Sequence, residues 1–287
     1  MKRAFITDEA TQDFEEAVGL ALELGYEGLE LRTVNDTPID LVPPALLRAF
    51  RARLDGEGLC VCALASSFFK CERTAAAISR ELEKLERLCL AADILGCDMI
   101  RGFSFFAPEC GALPPEALAP CYAEAVRLLE ARGKLLILEA DPSVNTTSHR
   151  ALAALADAIG SPRVRLLYDP GNCLYDPGRE TPYPDGYEAV RPRLAHVHVK
   201  DAVREGAESR CVKVSTGGVD WPALLKRLKA DGYDGWLSLE THYRAGAQLS
   251  EEQMKRPGGA GFTSGGMAAT LESALALNAL LKGVEER

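Results

Sequence analysis

Four side chains that can hold a metal ion stand at the ends of short apolar runs in the second half of the sequence. They are Glu139, Asp169, His198 and Glu240. Short apolar runs that stop at Pro, Gly or Asn are typical of buried parallel strands. The carboxyl ends of such strands share one rim in a barrel, so we expect the four side chains to meet there. Singly, each could be a solvated acid or a core histidine, but their succession favours a metal site.

The predicted ligand set contains three carboxylates, one imidazole and no thiolate. This oxygen-rich set suits Mn²⁺ best or Mg²⁺, and the imidazole also permits Co²⁺ or Zn²⁺. His196 and His198 are two residues apart and therefore point to the same strand face. Because His198 is nearer the strand end, we assign it to the metal and His196 to a second layer or to packing.

Strand-like runs alternate with amphipathic helical segments along the chain, including predicted helices over residues 74–95 and 115–131. Eight such units without a change in composition predict an α/β fold, a single (β/α)8 TIM barrel over residues 1–287. Residues 243–266, after the eighth strand, are predicted as a long loop, which in a compact domain is usually a lid or a binding segment. A last helix is predicted over residues 267–281.

Composition narrows the classes of partner. A net charge of -9 and a pI near 5.1 argue against nucleic acid as a partner. The apolar runs fall short of the ~20 residues of a membrane helix, and no signal-peptide core follows Met1, so we expect no membrane partner and a cytoplasmic location. The nine cysteines contain no C-x-x-C pair and are predicted to be reduced, with Cys173 singled out for reactivity. A homo-oligomer is compatible with the sequence, which leaves the oligomeric state open.

Four ordered motifs carry a resemblance to a known family. They are Leu138-Glu139, Tyr168-Asp169-Pro170-Gly171-Asn172, His196-Val197-His198-Val199-Lys200-Asp201 and Ser238-Leu239-Glu240-Thr241-His242. Together they resemble the xylose-isomerase-like TIM-barrel superfamily of sugar phosphate isomerases and epimerases, over essentially the whole chain. Inosose dehydratases, 3-dehydroshikimate dehydratases, hydroxypyruvate isomerases, ketose 3-epimerases and endonuclease IV share the superfamily, and the motifs do not separate them.

The resemblance implies roles for particular residues. It gives Glu139, Asp169, His198 and Glu240 the metal-ligand positions, and makes Glu139 and Glu240 the acid–base pair as well. It implies a substrate site lined by Asn172, Lys200 and Arg204, with Glu30 near the pocket or in a solvated structural role. Many relatives follow the strand-five Glu with Asn-His, whereas this chain has Ala140-Asp141, a change for which His242 could partly compensate. Four histidines are too few for the zinc cluster of endonuclease IV.

These implications favour a divalent-metal-dependent isomerase or epimerase of a small carbohydrate, either a sugar or a sugar phosphate. It would remove a proton next to a carbonyl and work through an enediolate. One alternative is a metal-dependent dehydratase (a lyase) of a cyclic polyol ketone such as an inosose or dehydroshikimate, with Lys200 or His242 protonating the leaving group. Another is a sugar-binding barrel without catalysis. The sequence leaves the substrate and its phosphorylation open.

Overall fold

Eight parallel strands form a ring in the computed structural model, which describes residues 1–206 and 208–285. The strands are β1 (Lys2–Phe5), β2 (Gly28–Leu31), β3 (Cys60–Phe68), β4 (Met99–Gly102), β5 (Leu135–Glu139), β6 (Val164–Tyr168), β7 (Leu194–Val199) and β8 (Trp236–Leu239). Successive strands from β2 to β8 pair with each other, and β8 pairs with β1. A parallel bridge between Ile6 and Glu30 completes the ring between β1 and β2. This confirms the predicted (β/α)8 barrel.

Helices surround the ring of strands. They are α1 (Phe14–Leu24), α2 (Pro44–Glu57), α3 (Ala75–Leu95), α4 (Pro115–Leu118), α5 (Ala123–Arg132), α6 (His149–Ile159), α7 (Tyr187–Val190), α8 (Trp221–Ala230), α9 (Glu251–Lys255), α10 (Ala260–Thr263) and α11 (Gly266–Glu285). The side chains of Asp13, Thr74 and Ser148 accept backbone N–H groups at the starts of α1, α3 and α6, where such groups lack helical partners. Among the described residues, no helix is long and apolar enough to cross a bilayer.

Apolar side chains from strands far apart in the ring meet inside the barrel. Ala4 of β1, Ile137 of β5, Leu167 of β6 and Trp236 of β8 belong to one buried cluster. Because strand side chains alternate in direction, a residue two positions beyond an inward-facing one also faces inward. Glu139 lies two residues after Ile137, and Asp169 lies two residues after Leu167. The apolar layer of the barrel is therefore followed, toward the carboxyl rim, by a layer of ionisable groups.

Three segments differ from their predictions. The helix predicted over residues 115–131 is interrupted by a 3₁₀ turn at Ala119–Tyr122, which contains Pro120, a residue without a backbone N–H. The loop predicted over residues 243–266 contains α9 and α10, and the side chains of Ser250 and Gln253 form a capping box at the start of α9. An unpredicted antiparallel hairpin, Asp201–Glu205 with Glu208–Val212, follows β7.

Candidate active site

The four predicted metal ligands meet at the carboxyl end of the barrel, and we call them the rim cluster. Glu139 is the last residue of β5, and His198 lies in β7. Asp169 and Glu240 directly follow β6 and β8. One ligand atom from each residue lies within 4.8 Å of the others, and all four residues are buried. The structure therefore brings the whole set together.

The rim cluster fits a divalent cation, as the surroundings of His198 show. Its Nδ1 atom is buried without a hydrogen-bond partner among the described residues. The same atom lies 3.7 Å from Glu139 Oε1 and 3.6 Å from Glu240 Oε2. An unpaired buried ring nitrogen carries an energetic cost, which coordination to a cation would remove. Carboxylate oxygens and an imidazole nitrogen are ligands that Mn²⁺, Mg²⁺, Co²⁺ and Zn²⁺ accept.

Glu30 holds the two histidines of β7 from below the rim. Its Oε1 and Oε2 atoms lie 3.1 Å from His198 Nε2 and 2.8 Å from His196 Nε2, and all three side chains are fully buried. Burial alone would raise the pKa of Glu30, but His198 and His196 hold it well below its usual value. A carboxylate on the far nitrogen of a ligand histidine fixes the ring orientation. Glu30 thus directs Nδ1 of His198 toward the other ligands.

Two buried arginines lie at the rim and were not predicted as site residues from the sequence. Arg101, inside β4, places Nη1 3.1 Å from Glu139 Oε2 and 2.9 Å from Glu240 Oε1. Arg32, directly after β2, contacts Asp8, Glu9 and, at 3.4 Å, Glu240. The available signal was an arginine within or directly after an apolar strand, since such a residue is almost never fully buried unless it is paired.

Lys200 contributes a third cation to the rim. Its Nζ atom lies 2.6 Å from Asp169 Oδ2 and 2.6 Å from Glu240 Oε2. Burial alone would raise the pKa of Glu240, but its cationic neighbours, Lys200 first, hold it well below the usual value. Burial and Glu240 likewise oppose ionisation of Glu139, but Arg101 and His198 keep its pKa lowered. Glu139 and Glu240 are therefore both ionised at neutral pH, as proton acceptors must be.

A cavity of about 840 Å³ opens above the rim cluster. Of the residues predicted at the site, Glu139, Asn172, Lys200, Glu240 and His242 line its wall. Asn172 donates from Nδ2 to Glu139 Oε1 at 3.1 Å and to the Ala140 carbonyl at 2.8 Å. Asn172 therefore holds the Oε1 atom of Glu139, and Arg101 holds its Oε2 atom. The cavity is large enough for a small carbohydrate.

Glu30 and Arg204, predicted at or near the substrate, lie outside the described cavity wall. Glu30 is covered by the histidines that it holds. Arg204 belongs to the hairpin after β7 and donates to the carbonyl oxygens of Cys173, Leu174 and Asp176. The unpredicted hairpin turns the Arg204 side chain toward the segment after β6. Arg204 supports the segment that carries Asn172.

Two further polar pairs contribute side chains to the wall. Asp141, where many relatives have histidine, pairs with Lys70 at 2.7 Å, and both residues line the cavity. His242 Nδ1 lies 2.8 Å from Glu9 Oε1, and its backbone N–H donates to Glu9 Oε2. The backbone of His242 has a φ of 45°, which few non-glycine residues adopt. His242 therefore stands against a buried carboxylate, in a position different from that of Asp141.

The fold and the rim cluster indicate a TIM-barrel protein with potential metal ligands at its carboxyl rim. Comparison with known families identifies the family. The family model described as xylose isomerase-like TIM barrel matches residues 18–257. The chain belongs to this family, which confirms the resemblance in its motifs.

The similar proteins include an inosose dehydratase and, among solved structures, an epimerase-like protein. The inosose dehydratase of Klebsiella pneumoniae (strain 342) is 27% identical over 259 residues, covering 79% of this chain and 82% of that protein. Among solved structures, a D-tagatose 3-epimerase-like protein matches with a TM-score of 0.75 at 16% identity, covering 100% of this chain and 99% of that chain. The IolI protein with a bound zinc atom matches with a TM-score of 0.74 at 15% identity, covering 99% of each chain. The two structural matches show the shared fold.

Proposed function

We propose that this protein is a divalent-metal-dependent isomerase or epimerase of a sugar or sugar phosphate, which removes a proton next to a carbonyl. The observation that carries the proposal is the pair Glu139 and Glu240. Both carboxylates are buried at the cavity floor, both contact Nη1 of Arg101, and both have lowered pKa values. Two ionised carboxylates on one small site can take a proton from one face of a substrate and return it at another.

Each carboxylate has two oxygens with different surroundings. Glu139 directs Oε1 toward His198 Nδ1 and Oε2 toward Arg101; Glu240 directs Oε2 toward His198 Nδ1 and Oε1 toward Arg101. One oxygen of each can therefore face a metal ion, while Arg101 positions the other at the cavity floor. A divalent ion bound by the rim cluster would polarise the carbonyl and a neighbouring hydroxyl of the substrate. Arg101 and Lys200 would offset negative charge that develops on an enediolate.

Solvent deuterium exchange tests this proposal. Glu240→Gln removes a proton acceptor, and we expect exchange into a bound ketose to be lost. Glu208→Gln is the matched control, because Glu208 also lines the cavity but lies outside the rim cluster. The control should exchange at the parental rate. Parental exchange in Glu240→Gln with metal still bound would contradict the role of Glu240.

Dehydration of a cyclic polyol ketone is the second candidate, favoured by the identity with inosose dehydratase. The same proton abstraction would then be followed by loss of a β-hydroxyl as water. Lys200 and His242 line the cavity and could protonate that leaving group. An enone absorbance with inososes or dehydroshikimate, without turnover of open-chain ketoses, would select the dehydratase. Turnover of neither class would favour a sugar-binding barrel.

We infer Mn²⁺ as the ion, on the strength of the three carboxylate ligands. Activity of chelator-treated protein after separate addition of Mn²⁺, Mg²⁺, Co²⁺ and Zn²⁺ would test this, and greater activity with another ion would contradict it. We also place the protein in the cytoplasm, since all nine cysteines are free thiols. Cell fractionation would test the location.

A further inference from the structure

A second group of ligand-type side chains lies apart from the rim cluster, and we call it the Cys173 cluster. It consists of His149, the first residue of α6, and of Cys173 and Glu180 from the segment after β6. His149 Nδ1 lies 3.1 Å from Cys173 Sγ and 3.0 Å from Glu180 Oε2, and Sγ lies 3.7 Å from Oε2. His149 and Cys173 are fully buried, and the Glu180 side chain is 5% exposed.

Hydrogen bonds within this cluster share a single carboxylate oxygen and, in the part of the chain that the structure describes, leave one ring nitrogen of His149 without a partner. Nδ1 of a neutral imidazole either carries a proton or accepts one. With a proton it donates to Glu180 Oε2, an oxygen that the Cys173 thiol also reaches at 3.7 Å; without one it faces a carboxylate oxygen at 3.0 Å. The other ring nitrogen of His149, Nε2, is buried without a partner among the described residues. A cation between Sγ, Nδ1 and Oε2 would replace these shared hydrogen bonds with three direct bonds to the ion, with the imidazole proton on Nε2.

Gly186 leaves room beside the three donor atoms. A Cβ atom at this position would lie 3.1 Å from Cys173 Sγ, 3.4 Å from His149 Nδ1 and 3.3 Å from the Thr181 carbonyl oxygen. The backbone of Gly186 has φ -60° and ψ -43°, which any residue can adopt, so its conformation does not require glycine. The missing side chain thus keeps open a space that faces a sulfur, a nitrogen and a carbonyl oxygen.

The Glu180 carboxylate is already oriented for this space. It accepts the backbone N–H groups of His149 at 2.7 Å and Arg150 at 3.0 Å at the start of α6. With these two bonds in place, Oε2 still faces His149 Nδ1 and Cys173 Sγ. These backbone hydrogen bonds orient the carboxylate, as outer hydrogen bonds orient the ligands of established metal sites.

We propose that His149, Cys173 and Glu180 form a second metal site, suited to Zn²⁺, that stabilises the segment after β6. Zinc binds thiolate at about 2.3 Å and imidazole or carboxylate at about 2.0–2.2 Å, so its tetrahedral ligands lie about 3.3–3.7 Å apart. The observed separations of 3.0, 3.1 and 3.7 Å need only small adjustments. One thiolate and one carboxylate neutralise the charge of the ion. The Thr181 carbonyl or a water molecule would complete the coordination.

The role of this site is structural. The described cavity wall includes none of its three ligands, so a substrate in the cavity does not reach Cys173. Burial, followed by the nearby Glu180 and Asp169, raises the pKa of the Cys173 thiol far above its usual range. The reactivity predicted for Cys173 therefore has no structural support. The segment that the ion would fix also carries Asn172, the hydrogen-bond partner of Glu139.

Cobalt reports on the proposed site independently of activity. Full-length protein stripped with a chelator would be titrated with Co²⁺ under reducing conditions. We expect two ions per chain, one of which produces a near-ultraviolet thiolate-to-cobalt charge-transfer band that Zn²⁺ abolishes. The rim cluster contains no sulfur and cannot produce this band.

Matched variants test which residues produce the charge-transfer band. Cys173→Ala and Gly186→Ala should each remove the band and one bound ion, the first by deleting a ligand and the second by filling the space. Cys97→Ala, at a buried cysteine outside the cluster, should keep both ions. Glu240→Gln should weaken the rim site but keep the band. Absence of the band in the wild-type protein, or its persistence in Cys173→Ala, would overturn the proposal whether or not any variant folds.

Discussion

The rim cluster and the Cys173 cluster are both buried groups of potential metal ligands, yet their surroundings differ. The rim cluster has four ligands, a cavity of about 840 Å³ above it, and contacts to Arg101 and Lys200. The Cys173 cluster includes sulfur and lies outside that cavity wall, and Glu180 there contacts backbone N–H groups. Ligand identity alone therefore does not define an active site. Access for a substrate and the cationic side chains nearby favour chemistry at the rim. The lack of such access favours a structural role for the other cluster.

Removal of divalent ions should have the largest effect and should separate the two clusters. We expect chelator treatment to lower kcat/KM at least about a thousandfold, because a bound ion supplies several kcal/mol of charge stabilisation. Mn²⁺ should restore activity, whereas Zn²⁺ should restore thermal stability. Steady-state assays and thermal unfolding would be recorded on the same samples. Full activity in metal-depleted protein would contradict the catalytic role of the rim.

Replacement of Arg101 should have the largest effect on stability. Arg101→Met leaves two buried carboxylates without their shared cation, which should lower the free energy of unfolding by about 3–5 kcal/mol. Mn²⁺ should recover part of that loss, since an ion that binds only the folded state stabilises it. Urea unfolding with and without Mn²⁺ measures both effects. A loss that Mn²⁺ does not reduce would separate Arg101 from the metal site.

Glu30→Gln should act on the rim cluster alone. Loss of the carboxylate that orients His198 should weaken Mn²⁺ binding about 10–100-fold. The cobalt–thiolate band of the Cys173 cluster should remain. Glu180→Gln should show the opposite pattern, with a weakened band and parental Mn²⁺ affinity. Equal losses at both sites in either variant would show that the clusters are not independent.

Loss of an exposed ion pair should have the smallest effect on the free energy of unfolding. Arg127 and Glu124 pair on α5 with side chains 69% and 57% exposed. Solvent screens such a pair, so Arg127→Ala should change the free energy of unfolding by less than about 0.5 kcal/mol. Metal content and kcat/KM should stay at parental values. A larger change would show that the assays respond to general surface substitution.

The barrel and the rim cluster were predictable for one reason. Residues at the carboxyl ends of parallel strands share a rim whatever the details of packing, so strand-end positions sufficed for Glu139, Asp169 and Glu240. Contacts across the barrel depend on register and tilt, which the sequence does not reveal. The Glu30 contact to His196, 166 residues away, belongs to this kind. A strand-internal arginine signalled that Arg101 needs a partner, but not which one.

Arg204 and Cys173 show a second limit. The role of Arg204 depends on the hairpin that follows β7, which joins residues 201–205 to residues 208–212. From the sequence alone, Arg204 cannot be distinguished from other polar residues that follow a strand. Cys173 adjoins Asn172 in sequence, yet Asn172 faces the cavity while Cys173 faces α6. Adjacent residues in a 3₁₀ turn point in different directions, so proximity in sequence did not indicate shared function.

Anomalous diffraction from crystals soaked in Mn²⁺ would show which side chains hold the ion. We expect an anomalous peak about 2.0–2.4 Å from one atom each of Glu139, Asp169, His198 and Glu240. The same experiment on Glu240→Gln should give a weaker peak. No peak at the rim of the wild-type protein, or a peak bound by other side chains, would contradict the claim that these four residues hold the ion.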